Sequence, residues 1–415
     1  MSMRTAALAE GPGPTGVAGG KALRVLFVTP TLAATRFLGP LLARLCDLGH
    51  EVHYASAGFA FAGADGLDPR VVSHRLALPR GASPAGHLAA ARALRGLFDA
   101  LRPDVVDVHY SAAMLTAALA LGRAAGPPTV ATVHGLRFTA LAGARARLEA
   151  VVETWAARRM DRVFVLTEDD RRAFASRGIG HVRVQPSAGV GCDLARFDPT
   201  RFTEGRRREA RRRLGVPEGA RAVAFVGRFV AFKGFDVAVA AFERAARSVP
   251  SLHLVLCGVY DPVHPSGLDA GRRRALAADP RVSMPGWTEE VEEVLAISEA
   301  CLFPSVREGM PVNLMEALAM GVPVVTADAR GCRDIVTDGV DGLVVAPRDV
   351  PGTAAALHRL VTDGALRARL GAGALAGRAR FDAARFVDAR VAELVEVACA
   401  PRGARPPRGT GEGAR

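Results

Sequence analysis

The 415-residue chain reads as an α/β protein made of two doubly wound parallel units in tandem. Three observations predict this. Short strand-like apolar runs alternate with helical patterns along most of the length. The alternation breaks once, in the turn-rich segment Gln185–Glu204, and then restarts. Each half is long enough for one domain of about 150 residues. With 49% apolar and 23% charged residues, the chain can build a sizeable core, which excludes a disordered chain and a small stapled scaffold.

In the first unit, Leu23–Val28 is a strand and Phe37–Leu48 a helix that Gly49 ends. Glu51–Ala55 follows as a strand. Val105–Val108 and Thr129–Val133 are short strands of the buried parallel kind, separated by the helix Ala112–Ala125. The Arg-studded helix 143–160 leads into the strand Asp161–Leu166. Pro186, Gly189, Gly191, Pro199 and Gly205 mark the connector.

The second unit repeats the rhythm. Ala222–Val226, Leu252–Cys257, Ala300–Phe303, Val322–Thr326 and Gly342–Val345 are strands. Asp236–Ser248, Glu289–Ile297, Pro311–Met320 and Gly352–Leu360 are helices. Residues 21–188 and 189–378 therefore form the two units, each placing ligands at the carboxyl ends of its strands, across a shared cleft. Residues 379–400 are expected as a helix packing back toward the first unit. The Ala/Gly/Pro-rich 1–20 and the Pro/Gly/Arg-rich 401–415 are expected to be disordered.

The net charge of +12 is uneven: residues 1–208 carry 27 basic against 17 acidic residues, and 209–415 carry 27 against 25. Nucleic acid, an acidic membrane surface or an anionic substrate accounts for such an excess, as does the codon usage of a GC-rich genome. Of the 54 basic residues only Lys21 and Lys233 are lysines. With 23 aromatics and no recognisable module, nucleic-acid binding is not expected. No apolar run approaches the ~20 residues of a spanning helix, no signal peptide is recognised, and the six scattered cysteines read as packing thiols. These features point to the cytoplasm, with contact at the inner face of the membrane through the basic first unit.

The densest chemical signal is the stretch from Phe303 to Glu316. A strand ends at Pro304, a loop carries Glu308 and Gly309, and Pro311 suits the first position of a helix. That helix is apolar nearly all round, so it is buried. Its exceptions, Asn313 and Glu316, are three apart and share a face. A carboxylate there is costly unless hydrogen-bonded. Glu316 lies roughly 7–8 Å along the axis from Pro311 at ~1.5 Å per residue. A diphosphate at the helix N-terminus would meet free N–H groups, and a ribose extending from it would reach Glu316. The plainer alternative pairs Glu316 with an arginine and leaves Glu308 in water.

The run Glu308-Gly-Met-Pro-x4-Glu316, followed by Ala-Leu-Ala-Met-Gly-Val-Pro-Val-Val, resembles the glutamate–seven residues–glutamate motif of retaining glycosyltransferases of family 4. The resemblance covers most of 22–400 and is most specific in 222–346. It implies the GT-B fold, two Rossmann-like domains around a cleft, and a nucleoside-diphosphate sugar as co-substrate. Val226-Gly-Arg-Phe-Val-Ala-Phe-Lys-Gly234 is similar to the family's glycine-rich turn, which implies that Arg228 and Lys233 grip the diphosphate. His134, ending the strand Thr129–Val133, is implied to contact the donor sugar. His109 lines the acceptor side or is structural; Tyr260 stacks on the base or is a surface tyrosine. Thr288, in the loop from Gly286, is placed near the base. Gly189–Phe197 is the hinge. Gly331–Ile335 and Asp338–Gly342 match the family's closing segment and read as structural. Many relatives carry a Gly-Gly loop after the first strand. Here Thr29–Arg36 stands instead, with Thr31, Thr35 or Arg36 as substitute donors and Arg36 toward the acceptor.

The resemblance also implies the chemistry. The backbone N–H groups of Gly309, Met310, Val312 and Asn313, with Arg228 and Lys233, would hold the leaving diphosphate, while Pro311 only shapes the turn. No metal and no other cofactor is expected, and the chain has no Asp-x-Asp motif. Retention implies same-face attack with no protein nucleophile, so His134 and Glu308 are the residues placed around the reacting sugar. The expected donor is uridine-linked glucose, N-acetylglucosamine or another hexose. The expected acceptor is an alcohol of a cell-envelope glycan, a lipid-linked sugar, or a natural product such as an aminocyclitol. A nucleotide-sugar epimerase of the same fold is the rival reading. A dinucleotide-dependent dehydrogenase would need Gly-x-Gly-x-x-Gly where Thr29-Pro-Thr-Leu-Ala-Ala stands.

Overall fold

A computed structural model describes residues 21–31, 34–57, 67–79, 83–122, 126–261, 266 and 269–400. Both chain ends expected to be disordered lie outside the described residues, as does the side chain of Arg36.

The first half alternates β1 (Arg24–Thr29), α1 (Thr35–Asp47), β2 (Glu51–Ser56), β3 (Val72–Arg75), α2 (Pro84–Leu101), β4 (Val105–His109), α3 (Ser111–Leu121), β5 (Thr129–Val133), α4 (Gly143–Ala157), β6 (Arg162–Val165), α5 (Glu168–Ala175) and β7 (Val182–Val184). Its sheet is parallel throughout, in the order β3-β2-β1-β4-β5-β6-β7. The second half comprises α6 (Glu204–Arg213), β8 (Arg221–Val226), α7 (Phe235–Ala245), β9 (Leu252–Cys257), α8 (Ala270–Ala278), β10 (Val282–Gly286), α9 (Val291–Ala296), β11 (Ala300–Phe303), α10 (Val312–Ala319), β12 (Val324–Ala327), β13 (Gly342–Val345), α11 (Val350–Thr362), α12 (Gly364–Gly377) and α13 (Ala383–Cys399). Its parallel sheet runs β10-β9-β8-β11-β12-β13.

The central strands β4, β5, β9, β11 and β12 are buried along their whole length, which is why they read as short, mostly apolar runs without alternation, with Asp107 and His109 on β4 and His253 on β9 as buried exceptions. Strand order reverses between β1 and β4 in one sheet and between β8 and β11 in the other. Crevices for ligands open at the carboxyl ends of strands at such reversals.

Several elements and boundaries differ from the sequence reading. Pro311 is the N-cap of α10, not its first residue: its φ of −73° and ψ of 117° are the extended geometry of a cap. The strand expected from Val322 starts at Val324, because the Val322 N–H bonds Ala317 O (2.9 Å) at the carboxyl end of α10 and Pro323 follows. The helix after β4 stops at Leu121, where Gly122 takes φ +56°. The 18-residue α2 has no counterpart in the sequence reading, although Ser83 caps it by accepting from Gly86 N (3.3 Å) and Pro84 opens it.

After α12 the chain crosses back. Helix α13 lays Phe386, Val387 and Leu394 against Leu38, Leu41 and Phe164 of the first half. Arg162 on β6 holds Glu393 and, at 2.8 Å, Glu396. The backbones meet where Gly191 passes the 381–383 segment; a side chain on Gly191 would stand 2.7 Å from Phe381 O. The connector is thus tied on one side to the returning helix.

Candidate active site between the two sheets

The carboxyl ends of β4 and β5 face those of β8 and β11 across a cleft of about 880 Å³. That volume suits a small organic ligand.

On the second-domain wall, close backbone approach dictates glycine. A side chain on Gly258 would sit 1.9 Å from Gly227 O, and one on Gly234, at φ +72°, 2.2 Å from Pro304 O. The turn from Gly227 to Gly234 delivers Lys233. Its Nζ lies 2.7 Å from Glu308 Oε1 and 2.8 Å from Oε2, and Ser305 Oγ stands 2.7 Å from Oε1. Arg228 donates from Nη1 to Asp261 Oδ2 at 3.0 Å. The ring of Phe232 gathers three cations: Arg307 at 4.9 Å, Arg228 at 5.4 Å and Lys233 at 5.6 Å from its centroid. All four side chains line the cleft. The wall thus gathers three cations, with Glu308 and Asp261 partnering two of them.

Helix α10 opens onto the same wall. Asn313 Nδ2 donates to Val226 O (2.7 Å), pinning its first turn to the end of β8. Gly309, Met310, Pro311, Val312 and Asn313 line the cleft, with Glu316 one turn further along. Val312 and Asn313 begin the helix, so their N–H groups have no carbonyl partner within it and aim toward the loop. The apolar face beneath, Leu314, Met315 and Leu318, is fully buried.

The opposite wall comes from β4 and β5. His134 Nε2 lies 3.0 Å from His109 Nδ1, and Tyr110, held at φ +73°, stacks on the His134 ring at 4.4 Å between centroids. Behind them His109 Nε2 is 3.3 Å from Asp107 Oδ2, and Arg390 Nε of α13 is 3.7 Å from the same oxygen. Arg390 also meets Thr132 Oγ1 and, at 3.2 Å, Gln185 Oε1. Burial, with His109 and Arg390 nearby, holds the His134 imidazole well below its ordinary pKa and keeps it neutral. Burial alone would raise Asp107, but Arg390 and His109 outweigh it and keep the carboxylate charged.

The two walls touch at Gly309. A side chain there would stand 2.4 Å from His134 O. Beside it Arg330 donates from Nη1 to the buried Asp170 Oδ1 (2.5 Å) and to Thr139, and Arg333 meets Asp169 at 2.6 Å.

Of the residues singled out in the sequence, His109, His134, Arg228, Lys233, Thr288, Glu308, Glu316 and the 309–313 segment line one cleft. Thr288 also accepts from Glu290 N at 3.0 Å ahead of α9. Tyr260 is not among the lining residues; its exposed ring carries Arg273 at 5.2 Å. Trp287, next to Thr288, lines the cleft instead. Trp287, Phe232, Arg307, Arg330 and the Asp107–Arg390 pair were not legible as site residues. Trp287 sits inside a segment already marked; nothing in the sequence flags Arg330 or Arg390 among 52 arginines. Among the described residues no group of three His, Cys, Asp or Glu is disposed to hold a metal ion.

Comparison with known proteins agrees in both halves. Residues 206–376 match the family model "Glycosyl transferases group 1", and residues 33–188 match "Glycosyl transferase 4-like domain". A D-inositol 3-phosphate glycosyltransferase of Nocardiopsis dassonvillei is 30% identical over 322 residues, 72% of this chain and 71% of that protein. One of Stackebrandtia nassauensis is 38% identical over 197 residues, 44% of this chain and 43% of that protein. The structure of Anabaena HepE in complex with UDP-glucose superposes with a TM-score of 0.71 at 18% identity, covering 90% of this chain and 99% of that one.

Proposed function

Since the chain belongs to the group 1 glycosyl transferases, family 4-type enzymes with the GT-B fold, we propose that it moves a hexose or N-acetylhexosamine from a uridine-diphosphate sugar to an alcohol, with retention at the anomeric carbon. One observation carries the reading: Arg228, Lys233, the amino end of α10 and Glu316 converge on one wall of a cleft whose other wall presents His134.

The diphosphate lies at the N-terminus of α10, against the N–H groups of the 309–313 segment and the cations gathered on Phe232. As the glycosidic bond breaks, negative charge grows on the leaving phosphate. Donors already fixed in place stabilise that charge without reorganising, the form of stabilisation worth most in a site closed to water. The ribose reaches Glu316, and the base lies toward Thr288, with Trp287 beside it. No resident metal is part of this scheme, because arginine, lysine and a helix terminus supply the positive charge.

The acceptor oxygen attacks from the face the diphosphate leaves, and a donor phosphate oxygen takes its proton. Neutral His134 offers a hydrogen bond rather than a charge to the sugar. Glu308, anchored by Lys233 and Ser305, lies on the far side of the diphosphate and positions the sugar hydroxyls. The acceptor is a cell-envelope or lipid-linked glycan or a small polyol; the relatives named for inositol phosphate make phosphorylated cyclitols an early choice for trial.

The test is a donor panel read by thermal shift, followed by transfer assays with the best donor and NMR of the new anomeric centre. Stabilisation by uridine-diphosphate sugars and acceptor-dependent transfer support the reading. Turnover of the donor into another sugar nucleotide without acceptor would replace it with an epimerase.

A further inference from the structure

Helix α4 buries Ala150, Glu153, Thr154, Ala156 and Ala157, yet three large apolar side chains point the other way. Leu148 is 64% exposed, Val151 66% and Trp155 37%. They stand at spacings of three and four residues and so form one stripe along the helix. Three of the ten large hydrophobics exposed among the described residues thus fall within eight positions of one helix. At 100° per residue, Arg147 and Arg158 flank the stripe on one side and Arg159 on the other. The guanidinium of Arg159 lies 4.7 Å over the Trp155 ring. Both carboxylates of the helix are drawn away: Glu149 pairs with Arg137 at 2.9 Å, and Glu153 is buried, accepting from Phe138 N and Ser111.

We infer that this face docks the protein on an anionic lipid surface, with Leu148, Val151 and Trp155 at the headgroup–acyl boundary and the flanking arginines on lipid phosphates. A stripe one side chain wide and about 10 Å long, at ~1.5 Å per residue, is far too small for a stable protein partner, which buries about 800 Å² per side. An apolar strip with tryptophan, bordered by cations, is what an interfacial helix needs. The basic excess of residues 1–208 adds to the attraction. Arg145, on the first turn of the same helix, lines the cleft. Docking would therefore bring the cleft mouth near the bilayer, where a lipid-borne acceptor waits; that consequence rests on the transferase reading, whereas the docking does not.

The experiment is flotation of the full chain with vesicles of mixed phosphatidylglycerol and phosphatidylcholine, against pure phosphatidylcholine. The chain should float with the anionic vesicles at low salt and stay down with the neutral ones. Leu148→Glu/Val151→Glu should abolish flotation, and Arg147→Gln/Arg158→Gln/Arg159→Gln should weaken partitioning roughly a hundredfold, about fivefold per charge. Both variants should keep the wild-type thermal shift with nucleotide sugar, which separates docking from folding and from donor binding. Wild-type chain left at the bottom with anionic vesicles, or either variant floating like wild type, would overturn the inference. So would a dimer in sedimentation that Leu148→Glu/Val151→Glu dissolves, because the face would then belong to a second copy.

Discussion

Lys233 and Glu308, 75 residues apart, meet at 2.7–2.8 Å with both carboxylate oxygens in reach of the ammonium. Their side chains are 20% and 9% exposed. The pair joins the turn after β8 to the loop after β11, the two segments that build the positive wall. Removing the lysine alone leaves a nearly buried carboxylate unpaired. Lys233→Ala should destabilise by roughly 1–3 kcal/mol, and Glu308→Gln in the same chain should recover part of it. Melting curves of the single and double variants check this. Both should also lose activity, Lys233→Ala by about 10²–10³ in kcat/KM.

Gly309 is where one domain's loop meets the other's strand end. A methyl group on it falls 2.4 Å from His134 O, a backbone atom that cannot swing aside. Gly309→Ala should leave each sheet intact but push the walls apart. Circular dichroism should be unchanged, small-angle scattering should report a larger radius, and kcat should fall by ~10-fold or more.

Arg330 and Asp170 form a buried ion pair between the halves, with 16% and 0% of their side chains exposed. Burial drives the Asp170 pKa up, and Arg330 opposes it. Arg330→Ala should therefore lower the melting temperature and raise KM for the donor. Adding Asp170→Asn should restore the stability but not the KM, since the contact between the walls stays lost.

His134 carries a pH prediction. Its folded pKa lies well below the ordinary value, from burial first and then from His109 and Arg390. The unfolded chain therefore binds the proton more readily. Its contribution to stability is fully present above the unfolded pKa of about 6.5 and is lost as pH falls below that toward the folded value. The melting-temperature gap between wild type and His134→Asn should narrow from pH 7.5 to pH 5. A constant gap would mean that His134 titrates normally.

The sequence carried the architecture because parallel strands buried on both faces are short apolar runs, as in Ala222–Val226 and Ala300–Phe303. It carried the positive wall because Glu308, Pro311 and Glu316 break an otherwise apolar pattern, and Lys233 is one of two lysines. It did not carry α2, whose buried face, His87, Ala90, Ala91, Leu94 and Phe98, holds only two large apolar side chains. Nor did it carry Arg390 beside Asp107 and His109, which it meets only when α13 crosses back. Tyr260, read as stacking on the base or lying at the surface, is exposed and outside the cleft lining: spacing from a strand end does not tell which way a loop side chain turns. The charge excess of the first half was read as membrane contact without pointing to an element; exposed Leu148, Val151 and Trp155 on α4 are not marked in the sequence by any such excess.

The most direct measurement is a crystal of the chain with uridine diphosphate at saturating concentration. Density for the diphosphate should lie at the amino end of α10, between the 309–313 backbone and the side chains of Arg228 and Lys233, with the ribose on Glu316. Ordered nucleotide anywhere else, or an empty cleft at that concentration, would contradict it.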